Sequence, residues 1–87
     1  AYEQPAFLRR QTLAHFDRIQ QCSAWLKSKR RYNAQDQAIQ RGIRLKTYAW
    51  NNYKILNFYD SERYMARAAV EFERYIESVR KDAVLTD

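Results

Sequence analysis

The sequence predicts an all-α fold, an up-down-up antiparallel bundle of three helices over about residues 5–29, 33–58 and 61–82. One glycine and one proline among 87 residues leave almost none of the turn chemistry that joins strands into hairpins. Apolar residues instead recur at spacings of three and four, which is the period of an amphipathic helix. A chain of this length supports one small core, so residues 1–87 are expected to form a single helical domain.

Pro5 marks the start of the first helix, because proline fits the first helical turn. The stripe that follows consists of Leu8, Thr12, His15 or Phe16, Ile19, Cys22 or Ser23, and Leu26. The next position on this stripe is Arg30, a charged residue where an apolar one is due. We therefore expect the first helix to end at about residue 29.

Asn33 is the expected N-cap of the second helix, with Asp36 three residues later to favour the positive end of the helix dipole. The apolar positions of this helix cover a broad sector of its circumference. They are Ala38, Ile39, Ile43, Leu45, Ala49, Trp50, Tyr53 and Leu56. A helix this broadly apolar is expected to touch two neighbours, and Gly42 near the same face would let a helix or a large aromatic ring approach closely.

The segment from Ala38 to Gly42 also has the Ala-x-x-x-Gly spacing of a helix-turn-helix motif. That motif requires the helix to stop before the glycine, and no stop signal precedes Gly42. The flanking positions that the motif fills with apolar residues are Gln37, Arg41 and Asn51. The pattern therefore favours one continuous helix.

Asp60 or Ser61 is the expected N-cap of the third helix. Its apolar stripe is Met65, Ala69, Phe72, Ile76, Val79 and Ala83. On the outer face, Arg67 with Glu71 and Glu77 with Lys81 are spaced to form ion pairs one turn apart. This outer face is expected to be solvated and balanced in charge.

The formal net charge of +6 is unevenly distributed along the chain. Residues 1–58 hold eleven Lys and Arg against three Asp and Glu, whereas residues 59–87 hold five against seven. A positive field of this kind suits nucleic acid, an anionic membrane surface or an acidic protein face. The densest cluster consists of Lys27, Lys29, Arg30 and Arg31.

The predicted topology extends this cluster. In an up-down-up bundle the first connection lies at the same end as the end of the third helix, so Arg80 and Lys81 are expected beside residues 27–31. The acids Glu3, Asp60 and Glu62 are expected at the opposite pole. The molecule should therefore be electrically polar from end to end.

A second candidate binding surface follows the exposed side of the second helix at spacings of three and four. It consists of Gln37, Arg41, Arg44, Tyr48, Asn51 and Ile55. Arginine, tyrosine and asparagine on one face contact phosphates, stack on bases and pair with base edges. Arginine and tyrosine are equally typical of protein-binding hot spots, so the stripe predicts a binding face without identifying its partner.

The sequence contains no recognisable site for catalysis, a cofactor or a metal. His15 and Cys22 lie two helical turns apart, roughly 10 Å along the axis, and no other His or Cys is available to complete a site. Gly-rich phosphate loops and nucleophile motifs are absent. The single cysteine, the lack of an apolar run of about 18 residues and the polar start of the chain predict a cytoplasmic protein.

Two functional hypotheses remain. The first is a non-enzymatic nucleic-acid-binding module that uses the Lys/Arg cluster and the Arg/Tyr/Asn stripe. The alternative is a protein-protein interaction module, such as an adaptor, an inhibitor or a subunit of a larger assembly, that uses its Tyr, Trp and Arg surface and forms a homo-oligomer or binds an acidic protein surface. Membrane binding is disfavoured because no exposed apolar stripe adjoins the basic cluster.

Overall fold

The computed structural model describes the backbone of residues 4–86 and the side chains of residues 4–83. It contains three helices, α1 (Pro5–Ser28), α2 (Gln37–Lys54) and α3 (Phe58–Thr86), and no strand within the described residues. The helices pack against one another in an elongated bundle with extents of 50 × 22 × 19 Å. The predicted all-α three-helix bundle is confirmed.

Two helix starts differ from the prediction because other residues provide the caps. The carboxylate of Asp36 accepts a hydrogen bond of 2.8 Å from the Ala38 amide, so α2 begins at Gln37. The Asn33 side chain instead accepts from the Gln35 amide within the preceding turn. The Asn57 side chain accepts from the Asp60 amide at 3.3 Å, so α3 begins about one turn earlier than Asp60 or Ser61 predicted.

The helix that packs against both neighbours along its length is α3, whereas α1 and α2 contact each other much less. One contact between α1 and α2 is that of Phe16 with Trp50, whose ring centroids are 4.9 Å apart. The sequence predicts that the second helix touches two neighbours, and it does so unequally, packing along α3 and meeting α1 at only a few residues. The buried core is Ile19, Leu26, Ile39, Ala49, Met65, Ala68, Ala69, Phe72, Ile76 and Val79.

Two residues predicted for the apolar stripes are exposed. Ala83 lies near the end of α3 and is exposed. Leu56 lies in the connection between α2 and α3 and keeps 73% of its surface exposed. The apolar spacing reaches both positions, but Ala83 lies near the C-terminal end of α3 and Leu56 lies beyond the end of α2.

Gly42 is buried in the middle of α2, directly against the ring of Phe72. A Cβ atom built on Gly42 would lie 2.6 Å from Cε2 and 2.8 Å from Cδ2 of that ring. The expectation that this glycine admits a large aromatic ring is confirmed. Because α2 continues without a break through Gly42, the segment forms no helix-turn-helix motif.

The helices α1 and α2 end in the same type of turn, each with one residue in the left-handed conformation. The Arg31 amide donates to the Leu26 carbonyl at 2.8 Å, and the Asn57 amide donates to the Asn52 carbonyl at 2.9 Å, as in a Schellman motif. The residue before each of these donors has positive φ, 55° at Arg30 and 66° at Leu56. The first helix thus ends just before Arg30, as the sequence predicts.

Leu56→Gly should increase the free energy of unfolding by about 1 kcal/mol, because glycine adopts the left-handed conformation without the Cβ clash. Urea denaturation gives the change from the midpoint. Leu56→Ala is the matched control, since it removes the exposed side chain and keeps the Cβ. Equal effects of the two variants would contradict this explanation and attribute the change to the side chain.

Candidate functional site

Lys27, Lys29, Arg30, Arg31, Arg80 and Lys81 form what we call the basic pole. The guanidinium carbon of Arg80 lies 5.2 Å from the centre of the Trp25 ring, and Lys29 Nζ lies 5.9 Å from the same ring centre. The end of α3 therefore lies beside the end of α1, as the topology predicts. Arg80 and Lys81 also line an open groove of about 640 Å³ with Cys22.

The connection after α1 is anchored to α3. The hydroxyl of Tyr75 donates a hydrogen bond of 3.1 Å to the Arg31 carbonyl oxygen. Burial, and secondarily the carboxylate of Asp36, raise the pKa of this phenol, so the hydroxyl keeps its proton. Lys27 Nζ lies 5.1 Å from the centre of the Tyr32 ring. These contacts hold the backbone between Lys29 and Asn33 against the bundle.

Most cations of the basic pole form no ion pair with another described residue. Arg80 Nη1 lies 3.3 Å from Glu77 Oε1. Among the described residues, the other five side chains of the pole make no ion pair. All six are exposed. The pole therefore presents an excess of positive charge to the solvent, with the carboxylates of Asp36, Glu77 and Asp82 nearby.

The predicted stripe of α2 is exposed along its whole length, from Gln37 and Arg41 through Arg44 to Asn51 and Ile55. It borders α3 and is partly engaged by that helix. Arg41 Nε donates to Glu71 Oε2 at 3.3 Å. The ring of Tyr48, which is 54% exposed, lies 5.7 Å from that of Tyr64.

The ion pairs predicted for the outer face of α3, Arg67 with Glu71 and Glu77 with Lys81, are wrong. Glu71 contacts Arg41 and Arg74, and Glu77 contacts Arg80. The guanidinium of Arg67 instead lies over the ring of Tyr64, 5.9 Å from its centre. The sequence interpretation consequently missed three exposed arginines of this face, Arg63, Arg67 and Arg74. Their common face was readable from their spacing, but the partners of Glu71 depend on how α2 packs against α3.

His15 belongs to a chain of polar contacts between α1 and α3. Its Nε2 lies 3.0 Å from Glu62 Oε2, and Arg18 donates to its Nδ1 at 3.1 Å. Nδ1 therefore acts as an acceptor, which leaves the Nε2 proton for the carboxylate. Arg18 also binds the Glu73 carboxylate, so Glu73 faces α1. His15 thus lies at the edge of the core, where these polar contacts join α1 to α3.

Cys22 is half-buried beside these contacts between α1 and α3. Burial, and secondarily the charge of Glu73, raise the pKa of its thiol above the ordinary value. A protonated thiol is a poor nucleophile and a poor metal ligand. Within residues 4–83, no group of three or more His, Cys, Asp or Glu side chains is placed to hold a metal ion.

Comparison of the chain with protein-family models, with curated proteins and with solved structures gives no match. In the part of the chain that the structure describes, each helix is too short or too polar to cross a membrane.

Proposed function

We propose that this protein is a small non-enzymatic module that acts in the cytoplasm and binds nucleic acid through the basic pole. The observation that supports the proposal is the convergence of six cations from α1, the first connection and α3, of which only Arg80 has an ion-pair partner among the described residues. Lys and Arg at this density attract the phosphates of a nucleic acid and release its counterions.

Helix dipoles alone do not account for the cluster. The C-terminal ends of α1 and α3 lie at this pole and favour cations, but the N-terminal end of α2 lies there as well and disfavours them. Arg30 and Arg31 also follow α1 instead of belonging to its last turn. The excess of positive charge at the pole is therefore better explained by a polyanionic partner.

A salt titration tests the proposal. Fluorescence anisotropy with labelled oligonucleotides between 50 and 300 mM salt should show binding that weakens steeply as salt increases. Four to six phosphate contacts give a log-log slope of about −4 to −5 on duplex DNA. An affinity that is independent of salt, or no binding of DNA or RNA at 50 mM salt, would contradict the proposal.

A protein partner is the second candidate, and an observation at the opposite pole supports it. Ile55 and Leu56 are each 73% exposed, and Tyr59 is 58% exposed. Adjacent exposed apolar side chains are typical of protein contacts, including contacts between two copies of one chain. Affinity purification with and without nuclease separates the candidates, since a direct protein partner persists after nuclease treatment.

Trp50 is unsuitable for testing that second candidate. Its ring lies 4.9 Å from Phe16 and 5.2 Å from Tyr53, measured between centroids, so Trp50→Ala would disturb the packing of α1 on α2. Tyr48→Ala is the informative variant, because more than half of that side chain is already exposed.

A further inference from the structure

A second basic surface lies on the outward side of α3 and the adjoining edge of α2. We call it the arginine-tyrosine face and define it by six exposed residues: Arg41, Tyr48, Tyr59, Arg63, Arg67 and Arg74. Arginine is the cation that contacts phosphates with a planar fork of donors and stacks on aromatic rings. The composition of this face therefore differs from that of the lysine-containing basic pole.

Two acidic residues border this face and are paired with its arginines: Asp60 Oδ1 lies 3.8 Å from Arg63 Nη1, and Glu71 contacts Arg41 and Arg74. The side chain of Glu71 is only 13% exposed, whereas those of Arg41 and Arg74 are 48% and 74% exposed. Its oxygens lie 3.3 Å from Arg41 Nε and 3.7 Å from Arg74 Nη1. Because each guanidinium has five N–H donors, most donors remain available to a ligand. The carboxylate thus orients two arginines without reversing the charge of the surface.

The tyrosine rings lie among the arginines. Arg63 lies 5.7 Å from the centre of the Tyr59 ring, and Tyr59 and Tyr48 are 58% and 54% exposed. The ring of Tyr48 contacts the ring of Tyr64, and the guanidinium of Arg67 lies over the Tyr64 ring. A nucleotide that stacks on an exposed ring would place its phosphate near the adjacent guanidinium.

The arginine-tyrosine face is continuous with the basic pole. Tyr59 and Arg74 are fifteen residues apart on α3, roughly 22 Å at the helical rise. Lys81 follows Arg74 by seven residues, which places it on the same side of the helix roughly 10 Å further along. A strand that begins at the pole can therefore follow α3 from Lys81 to Arg74, passing the exposed carboxylate of Glu77, which is paired with Arg80.

We propose that the arginine-tyrosine face binds a single strand of RNA or DNA, with its arginines on the phosphates and the rings of Tyr48 and Tyr59 stacked on bases. This inference rests on the proposed function and specifies the form of nucleic acid. In a duplex the bases are already stacked on one another, so rings on the outside of a helical bundle cannot reach their faces. A chain of Asp and Glu residues would engage the arginines but has no aromatic bases to stack on the two exposed rings.

The test compares the wild-type protein with a Tyr48→Leu, Tyr59→Leu double variant. Anisotropy is measured with a single strand of RNA, a single strand of DNA of the same sequence, and the corresponding DNA duplex. Each lost ring should weaken single-strand binding about tenfold. Duplex binding and the salt slope should not change, because no phosphate contact is removed. Equal losses on RNA and DNA are expected if the contact is made by base faces alone.

Phe7→Leu is the matched control, because Phe7 is an exposed ring, 44% accessible, at the start of α1 and outside the face. Circular dichroism verifies that all variants keep their helices. Unchanged single-strand binding by the double variant, or a duplex bound as tightly as the single strand, overturns the inference and leaves the proposed function intact. Competition by poly-glutamate as strong as that of the oligonucleotide also overturns it. No binding of any nucleic acid refutes the proposed function itself.

Discussion

Gly42→Ala should decrease the free energy of unfolding by about 2 kcal/mol. The added methyl group would lie 2.6 and 2.8 Å from two carbons of the Phe72 ring, well inside van der Waals contact. Phe72 is itself 1% exposed, so the ring has no solvent-filled space into which it can move. At an open helical position the same substitution would stabilise the protein by up to about 1 kcal/mol, because alanine has the higher helix propensity. The sign of the change is therefore diagnostic, and urea denaturation measures it.

A double-mutant cycle assigns the cause. Phe72→Leu alone leaves a cavity and is destabilising, but in the Gly42→Ala background the smaller side chain makes room for the new methyl group. The double variant should therefore be less destabilised than the sum of the two single variants. Additive effects, or a stabilising Gly42→Ala substitution, would show that contact with the ring does not select glycine at this position.

The Lys29→Gln, Arg30→Gln, Arg31→Gln triple variant should bind nucleic acid about 100-fold more weakly at 50 mM salt. The log-log salt slope should also become shallower by about 3, since each lost phosphate contact removes about 0.9 on duplex DNA. Glutamine keeps a long polar side chain, and at Arg30 it retains the Cβ that the left-handed conformation already tolerates. Helicity measured by circular dichroism should equal that of the wild type.

The matched control is the Arg9→Gln, Arg10→Gln, Lys54→Gln variant. These three residues are exposed, and they lie at the other end of the bundle, where α1 begins and α2 ends. The two triple variants have the same net charge, so they differ only in where the charge is removed. Equal losses of affinity would mean that net charge governs binding, and would contradict a localised site at the basic pole.

The helices and their buried sides were predictable because local spacing determines them. Thr12, Ile19 and Leu26 lie seven residues apart, and all three are buried. Helix starts were less predictable, because several polar residues compete to cap each helix. Asn33 and Asp36 are both good caps, and the backbone of the connection after α1 decides in favour of Asp36.

The basic pole was predictable for a different reason. Chain topology alone brings the end of α3 to the end of α1, so Arg80 reaches the ring of Trp25. The spacing of Arg63, Arg67 and Arg74 shows that they share a face of α3, but the contact of Glu71 with Arg41, which joins α2 to this face, was not predictable. The one-turn rule favours Arg67, but the packing of α2 against α3 supplies Arg41 instead. The partner of a charge on a helix edge is a tertiary property that a single sequence does not reveal.

The central position of α3 has a consequence for synthesis on the ribosome. Contacts between α1 and α3 join residues that are far apart in the chain. The hydroxyls of Thr12 and Ser61, for example, are 3.1 Å apart, although 49 positions separate the two residues in the sequence. When α1 and α2 have left the ribosome, neither has the surface on which it packs, and the broad apolar side of α2 is uncovered. The hydrophobic core closes only when the last of the three helices emerges. Until then the nascent chain exposes apolar side chains to chaperones or to other unfinished chains.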